Sequence, residues 1–272
     1  CVTRRQRQMC IRDSYFDIGA NLTHSAFKSV LDEVIEVSQK NGVQLLSVTG
    51  SDLLESQQAL AIAKKYPESI ISTAGIHPHQ AKNYTKSYFS EIIDLLKEDQ
   101  VRSIGETGLD FYRDYSTPSE QEKSFEAHLE IAIDMQMPLF LHEREAHKRF
   151  LEILKPLSGN LPKTVVHCFT GTKEELLRYI ELDFYIGITG WICDERRGKH
   201  LEDLVNLIPL NRLMIETDAP YLLPRDMGVK SSTNNEPKFL PHIAKKISNH
   251  RKEEFELLIS SIYMNSLNFF NI

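Results

Sequence analysis

The sequence predicts a single (β/α)8 barrel, and three observations favour this fold class. The chain has 272 residues, of which 41% are hydrophobic and 26% charged, a composition typical of a globular α/β protein. Short apolar and β-branched runs alternate with amphipathic segments from end to end, which indicates parallel strands joined by helices. No glycine-rich phosphate loop follows the first run, as an open doubly wound sheet usually requires.

The strands and helices are predicted in order from these runs. The strands fall at residues 15–19, 44–49, 70–76, 101–105, 138–142, 164–169, 185–189 and 212–217. Apolar residues at helical spacing predict a first helix over 25–41, and Thr117 is a plausible N-cap for a helix over 118–135. Two closing helices, near 240–248 and 253–268, are expected to pack outside the barrel.

The first fourteen residues differ from the rest of the chain. Four arginines stand there against Asp13, and the string RRQRQMCIRDS resembles translated sequencing adapter. No apolar segment follows the paired arginines, which excludes an export signal. We therefore expect residues 1–14 to be a non-native leader and 15–272 to form one barrel domain. That domain keeps only Cys168 and Cys193, too few for a disulfide framework, so a cytoplasmic location is expected.

The overall charge argues against binding of nucleic acid by bulk electrostatics. Lys and Arg number 32 against 38 Asp and Glu, a net charge of −6, whereas such proteins usually carry a basic surplus. A polyanionic substrate would have to be held locally. No apolar run approaches the ~20 residues of a membrane helix, so no membrane partner is expected.

Polar residues cluster at the predicted carboxyl ends of the strands, where the active site of a barrel is built. His77, Glu106, His142, His167 and Asp218 each follow a different strand. One histidine at a strand end is more often a hydrogen-bonded core residue than a ligand. Several carboxylates and imidazoles meeting in a low-dielectric mouth are difficult to bury without a cation. The pattern therefore predicts a divalent metal site.

Strand alternation adds a prediction for the last strand. Glu216 and Asp218 should point to the same face, with Glu216 one layer deeper. Asp218 should then meet the substrate. Glu216 is a candidate for orienting a metal ligand, although a purely structural hydrogen-bonding role is about equally compatible with the sequence.

Seven strings, read in order, resemble the TatD family of metal-dependent deoxyribonucleases. They lie at residues 17–23, 75–79, 105–110, 142–146, 167–171, 216–222 and 235–237, and the resemblance runs from 15 to 272. It implies a TIM barrel of the metallo-dependent hydrolase type that cuts DNA phosphodiesters, typically as a 3′ to 5′ exonuclease on single strands. RNA cleavage is left open.

The resemblance also implies roles for individual residues. The metal ligands of the family fall on Glu106, His142 and His167, with Asp218 as a further ligand or the base. His77 falls at the rim of the site.

This chain departs from many relatives on the first strand. Their His-x-His pair corresponds to Gly19 and Asn21 here, so only a weak second cation, dependent on Asn21, is expected. By the same argument, histidines installed at both positions should create a second tight site. Mg²⁺ is the expected ion because it serves many phosphoryl-transfer enzymes, with Mn²⁺ or Zn²⁺ as alternatives.

Several residues outside the ligand set are candidates for contact with nucleic acid. Arginines can bind phosphates bidentately, and exposed aromatic rings can stack on bases. Ion pairing with neighbouring acids, and ordinary packing, are equally compatible with the pattern. Cys168 should face away from His167 by strand alternation and be buried. The candidates are Arg113, Arg144, Arg196 and Arg197 for phosphate, and Tyr112, Trp191 and Tyr221 for bases.

Two other functions remain open at this point. The same cation could hydrolyse the ester of an aminoacyl-tRNA, because this fold serves both chemistries. A non-catalytic barrel that binds nucleic acid or protein is disfavoured by the convergent ligands and the acidic charge. No feature of the sequence calls for an obligate protein partner.

Overall fold

Eight parallel strands, paired in sequence order, form the barrel predicted from the sequence. The computed structural model describes residues 14–230 and 233–272. Backbone hydrogen bonds from Asp218 N to Gly19 O (2.8 Å) and from Asn21 N to Ala219 O (2.7 Å) join the ends of the first and last strands. The strands are β1 (Tyr15–Ala20), β2 (Val43–Val48), β3 (Ile70–Ala74), β4 (Val101–Asp110), β5 (Leu139–Arg144), β6 (Thr164–Val166), β7 (Tyr185–Ile188) and β8 (Leu213–Ile215).

The helices between and after the strands cover the outside of the barrel. Thr117 and Glu120 form a reciprocal capping box at the start of the longest helix, so the predicted N-cap is confirmed. The helices are α1 (Leu31–Lys40), α2 (Leu53–Lys65), α3 (Lys86–Leu95), α4 (Pro118–Met135), α5 (His147–Leu154), α6 (Lys173–Glu181), α7 (Lys199–Leu204), α8 (Leu240–Ser248) and α9 (Phe255–Phe270). Among the described residues, no helix combines the length and apolarity needed to cross a membrane.

The predicted first helix over 25–41 is wrong in its first turn. Ser25–Phe27 form a short 3-10 turn, capped by a bond from Ala26 N to His24 Nδ1 (3.1 Å), and α1 begins only at Leu31. The backbone of Val30, with φ −129° and ψ 11°, is not helical and separates the two pieces. The apolar spacing is continuous across this break, which is why it predicts one helix.

Five strands end at least two residues away from their predicted ends, and the differences in β4, β6 and β8 determine how the site is built. β4 continues to Asp110, with a register irregularity between Ile104 and Thr107. β6 and β8 stop at Val166 and Ile215, so the polar residues that follow them stand on loops rather than in the ladder. The side chains of loop residues need not alternate between the two faces of the sheet, and this applies to Cys168 after β6 and to Asp218 after β8.

The last helix closes the amino-terminal end of the barrel. Phe269 and Phe270 belong to a second core cluster with residues of β1, β3, β5, β6, β7 and β8, and the Phe270 ring stacks on Phe16 at 5.2 Å between centroids. Both closing helices pack outside the barrel, as expected, and α9 in addition inserts Phe269 and Phe270 into its amino-terminal end. This apolar floor leaves the opposite end to the polar residues.

The expected leader falls almost entirely outside the described residues. Residues 1–13 are not described, and the expectation for them stays a prediction. Ser14, which was assigned to the leader, is 7% exposed just before β1. It belongs with the barrel.

Candidate metal centre

Glu106 lies at the centre of the barrel mouth. One of its carboxylate oxygens, Oε1, is 2.7 Å from His167 Nε2, 2.8 Å from His142 Nδ1 and 3.2 Å from His77 Nε2. The carboxylate is only 6% exposed. Three imidazoles, from the ends of β3, β5 and β6, thus meet at a single oxygen atom of Glu106 on β4.

His77 lies inside this cluster and not at its rim as expected. Its Nδ1 accepts a hydrogen bond from His79 N (3.0 Å), at the start of a 3-10 turn that begins with Pro78. This bond turns Nε2 toward Glu106. The donor atoms of His77, Glu106 and His142 all lie within 4.8 Å of one another.

The electrostatics of the cluster follow from burial and from the opposite charges packed together. Burial by itself raises the pKa of Glu106, but the imidazoles of His167 and His77 outweigh it and hold this pKa well below its usual range. For His167 burial acts to lower the pKa, and Glu106 and Glu216 reverse this and raise it. Burial dominates at His77 and lowers its pKa to about 4. Such mutual shifts are common at functional sites.

Asp110 is a site residue that the sequence reasoning did not single out. Its Oδ2 is 2.8 Å from His79 Nε2 and 3.3 Å from His142 Nε2, and the residue is 1% exposed. His142 is thereby held between two carboxylates, through Nδ1 by Glu106 and through Nε2 by Asp110. The sequence could have indicated Asp110 if β4 had been predicted to extend to residue 110, because residues 106 and 110 then lie on the same face of one strand.

Glu216 lies one layer below the cluster, as predicted. It is fully buried, its Oε1 accepts from Cys168 N at 2.6 Å, and its Oε2 is 3.4 Å from His167 Nδ1. Two glycines make room for it. A Cβ at Gly19 would lie 2.4 Å from Oε2, and one at Gly187 would lie 2.5 Å from Oε1.

Asp218 stands beside the cluster at the end of the first and last strands. Its Oδ1 accepts a hydrogen bond from Asn21 Nδ2 at 2.8 Å, and its φ of 54° turns it out of the strand direction. Burial raises its pKa to about 7, with the charges of Glu106 and Glu216 acting in the same direction and His167 against it. Asn21 therefore contacts Asp218 and not the histidines.

A cavity of about 410 Å³ opens at this cluster. It is lined by Asn21, His77, Glu106, His142, His167 and Asp218, together with Ser51, Glu55, Arg113, Tyr115 and Tyr221. Cys168 lines it too, so the expectation of a buried, opposite-facing Cys168 is wrong. The reason is that β6 has already ended, and Cys168 has a φ of 46°, which places its side chain outside strand alternation. Its thiol lies 3.8 Å from Thr189 Oγ1.

The donor set fits a divalent cation. Imidazole nitrogens and carboxylate oxygens are ligands for Mn²⁺ and Zn²⁺ and, through the carboxylates, for Mg²⁺. Glu106 offers a buried anionic oxygen that several imidazoles already approach, and Asp218 lines the same cavity. A second buried carboxylate behind His167 is the usual support for a metal-bound histidine.

A larger groove of about 810 Å³ lies next to this cavity, between the loops that follow β5, β6 and β7. Its lining includes Arg144, Trp191 and Arg197. The Arg144 guanidinium stacks over Tyr112 at 3.9 Å from the ring centroid, and Arg197 stacks over Trp191 at 4.2 Å.

The predicted phosphate-binding arginines divide into two groups. Arg196 and Arg197 both pair with Asp194, at 2.8 and 3.1 Å, so the alternative of ion pairing holds for these two. Among the described residues, Arg113 and Arg144 form no ion pair with a carboxylate. Arg113 lines the catalytic cavity and Arg144 the groove, so both guanidinium groups remain available to an anion.

A closed parallel barrel whose carboxyl-terminal mouth holds histidines around a carboxylate defines a metal-dependent hydrolase. Comparison with known proteins specifies the family: the family described as TatD related DNase matches residues 16–271. This chain belongs to that family. The resemblance seen in the sequence is confirmed, and so are the fold class and the assignment as a deoxyribonuclease-type hydrolase.

Individual relatives cover nearly the whole chain. A protein of Escherichia coli K12 named 3'-5' ssDNA/RNA exonuclease TatD is 49% identical over 258 residues, which is 94% of this chain and 99% of the relative. One of the same name from Musicola paradisiaca is 51% identical over 240 residues, 88% of this chain and 91% of the relative. The crystal structure of a TatD family hydrolase from Entamoeba histolytica superposes with a TM-score of 0.83 at 28% identity, covering 94% of this chain and 97% of the other.

Proposed function

We propose that this protein is a metal-dependent 3′–5′ exonuclease that hydrolyses single-stranded DNA and RNA. The names of its relatives state 3′–5′ exonuclease activity on single-stranded DNA and RNA for those proteins. The observation that carries the proposal is the convergence of His77, Glu106 and His142 within 4.8 Å at the mouth of a barrel. Asp218 lines the same cavity. This is the combination of ligands and base that hydrolysis of a phosphodiester needs.

We assign Glu106, His142, His167 and His77 as ligands of one cation, with Asp218 as a further ligand or the base. When bound, a divalent ion supplies Lewis-acid polarisation of the phosphoryl group and activation of water. Mg²⁺ is the ion we propose, because Glu106 and Asp218 offer oxygen ligands and phosphoryl-transfer sites commonly use it. Mn²⁺ and Zn²⁺ also suit the imidazoles.

The chain's own residues have separable tasks in this mechanism. Asp218 accepts the proton of the attacking water, and Asn21 fixes the carboxylate by donating to Oδ1 at 2.8 Å. Glu216 positions His167 through Nδ1 (3.4 Å). Asp110 does the same for His142 through Nε2 (3.3 Å). A cationic group facing the cavity, Arg113, is suited to stabilise charge that develops on the phosphoryl oxygens.

The neighbouring groove is the path that we propose for the strand leading away from the cut. Arg144, stacked on Tyr112, offers a positive charge and a flat apolar surface together. Arg197 stacks on Trp191 in the same groove, but its charge is already paired with Asp194. Such pairs bind phosphate and base without sequence preference. They supply locally the affinity that a net charge of −6 cannot supply over the whole surface.

We further propose that the protein acts in the cytoplasm. Both cysteines of the described residues, Cys168 and Cys193, are free thiols, which agrees with a reducing compartment.

Degradation of end-labelled single strands tests the proposal. Purified protein should shorten a 5′-labelled DNA or RNA strand stepwise with added Mg²⁺, and EDTA should abolish the activity. A 3′-blocked strand is the control, and it should resist. Release of an amino acid from aminoacyl-tRNA with no shortening of either strand would favour the ester hydrolase instead, and binding without any metal-dependent product would favour a non-catalytic barrel.

A further inference from the structure

A second group of metal-ligand side chains lies away from the catalytic cavity. Cys193 ends the 3-10 turn Gly190–Cys193 that follows β7, and Asp226 lies in the 3-10 turn Arg225–Met227. His242 is on α8. One donor atom from each of Cys193, Asp226 and His242 lies within 4.8 Å of the other two. None of the three lines the catalytic cavity.

The three residues are brought together by tight packing of their segments. A Cβ at Gly190 would lie 2.2 Å from Leu222 O and 3.2 Å from Pro224 Cγ, so the turn that carries Cys193 lies directly on the segment that leads to Asp226. His242 Nε2 is 2.6 Å from Asp226 Oδ1, which ties α8 to the same segment. The donors therefore come from three elements that are already held in place, as a preformed metal site requires.

The environment of Cys193 is unusual for a thiol that only fills space. The residue is 2% exposed, and its thiol is packed near a carboxylate rather than among apolar side chains alone. Burial, and then the negative charge of Asp226, raise the pKa of the thiol. The charge of Lys246 opposes this shift, but Lys246 is paired with Glu202 at 2.6 Å. A bound cation would offset the repulsion between a Cys193 thiolate and Asp226, and the thiol would then release its proton to solvent.

We propose that Cys193, Asp226 and His242 form a second cation site, with a preference for Zn²⁺ and similar thiophilic ions over Mg²⁺. Thiolate and imidazole are the ligands that Zn²⁺ favours, and three protein ligands with one water complete its tetrahedral shell. His242 and Asp226 are partly exposed, which gives an ion a route in from solvent. The ion would join the segment after β8, which carries Asp218, to α8 and to the turn after β7.

Cobalt absorption tests this site without reference to activity. Co²⁺ bound by a thiolate gives a sulfur-to-metal charge-transfer band in the near ultraviolet, and binding by histidine and carboxylate alone does not. The titration uses full-length protein in which Cys1 and Cys10 are replaced by serine, leaving two thiols. We expect the band to appear and to be lost when Zn²⁺ displaces Co²⁺, since Zn²⁺ binds such sites more tightly. Excess Mg²⁺ should leave it unchanged.

Matched variants assign the band to this cluster. Cys193→Ser should abolish it, whereas Cys168→Ser, which removes the thiol next to the catalytic cavity, should retain it. His242→Gln is the second variant, for use if Cys193→Ser does not fold, because a substitution at a partly exposed side chain disturbs the packing less. It should lose the band at a Co²⁺ concentration that saturates the parent. Absence of the band in the parent protein, its survival in Cys193→Ser, or its loss only in Cys168→Ser would each overturn the proposal.

Discussion

The carboxylate of Glu216 occupies the space that a side chain at Gly19 would need. A Cβ at Gly19 would lie 2.4 Å from Glu216 Oε2 and 3.1 Å from Phe140 Cζ. By the family resemblance of the sequence, Gly19 corresponds to the first histidine of the His-x-His pair of many TatD family members. In this chain, the glycine at position 19 and the buried Glu216 therefore depend on each other. Strand β1 leaves room there for the carboxylate, which approaches His167 Nδ1 at 3.4 Å.

Gly19→Ala should therefore destabilise the protein. The methyl group must displace Glu216 or Phe140 in a packed interior, and such overpacking usually costs about 1–3 kcal/mol of unfolding free energy. Denaturant unfolding of parent and variant measures it. Gly159→Ala is the matched control, because a Cβ there meets nothing within 4 Å. Equal stability of all three proteins would mean that Glu216 is not fixed where it lies. The same crowding argues against the expectation that histidines at 19 and 21 simply add a metal site.

Glu216→Gln should weaken metal binding while leaving the first ligands in place. The carboxylate accepts from Cys168 N at 2.6 Å and approaches His167 Nδ1 at 3.4 Å, and loss of such a support typically costs 10- to 100-fold in metal affinity. Calorimetric titration with Mn²⁺ measures the affinity directly. Glu181→Gln, on the exposed end of α6, is the control and should bind like the parent. An unchanged affinity in Glu216→Gln would leave this residue a purely structural role.

Glu106→Gln should abolish activity and leave the fold intact. Glu106 Oε1 lies within 3.2 Å of three imidazoles, and an amide oxygen cannot replace its charge toward a cation. We expect a loss of roughly 100-fold or more in nuclease rate, since a ligand contributes at least as much as its supports. Nuclease assays, Mn²⁺ titration and circular dichroism together decide it. A folded variant with near-parental activity would remove Glu106 from the ligand set.

The sequence was sufficient for the barrel and for most of the cluster because both depend on short-range patterns. Apolar runs mark strands, and barrel topology brings every strand end to one mouth, so Glu106, His142 and His167 could be placed together without coordinates. The predictions that were incomplete or wrong depended on where each strand ends. Asp110 was missed because β4 is longer than its apolar core, and Cys168 was misplaced because β6 is shorter. Strand ends are set by contacts between distant segments, which periodicity does not encode.

His128 should make stability fall as the pH drops below neutral. It is fully buried on α4, its Nε2 accepts from Ile76 N (3.1 Å), and its Nδ1 lies 2.7 Å from Ser124 O, so only the neutral ring fits both partners. Burial lowers its pKa from 6.5 to about 4. The unfolded chain takes up a proton on His128 at a higher pH than the folded protein does. The contribution of the neutral His128 to the free energy of unfolding is therefore complete above pH ~6.5 and is lost toward pH ~4. At 1.36 kcal/mol per pKa unit, this loss of unfolding free energy is at most about 3.4 kcal/mol.

Unfolding free energies measured from pH 7 to 4 test this assignment. In His128→Gln the pH dependence should be shallower than in the parent by up to that amount, whatever the cost of the substitution at pH 7. His200→Gln, an exposed residue of the groove, should keep the parental slope. Parallel curves for the parent and His128→Gln would show that His128 takes up its proton equally in both states.

The groove predicts a salt-dependent contribution from Arg144. This guanidinium has no carboxylate partner among the described residues and is held flat on Tyr112, so it is available to one phosphate. Each phosphate contact to a single strand contributes about −0.7 to the slope of log K against log salt. Arg144→Gln should therefore weaken binding of a single strand and make the slope shallower by about 0.7, as measured by fluorescence anisotropy with a non-cleavable strand. Arg149→Gln is the matched control, because Arg149 lies on α5 and pairs with Glu122 at 2.8 Å. If both variants keep the parental slope, the strand does not follow the groove, and if both change it equally, the protein binds nucleic acid through its general charge rather than through Arg144.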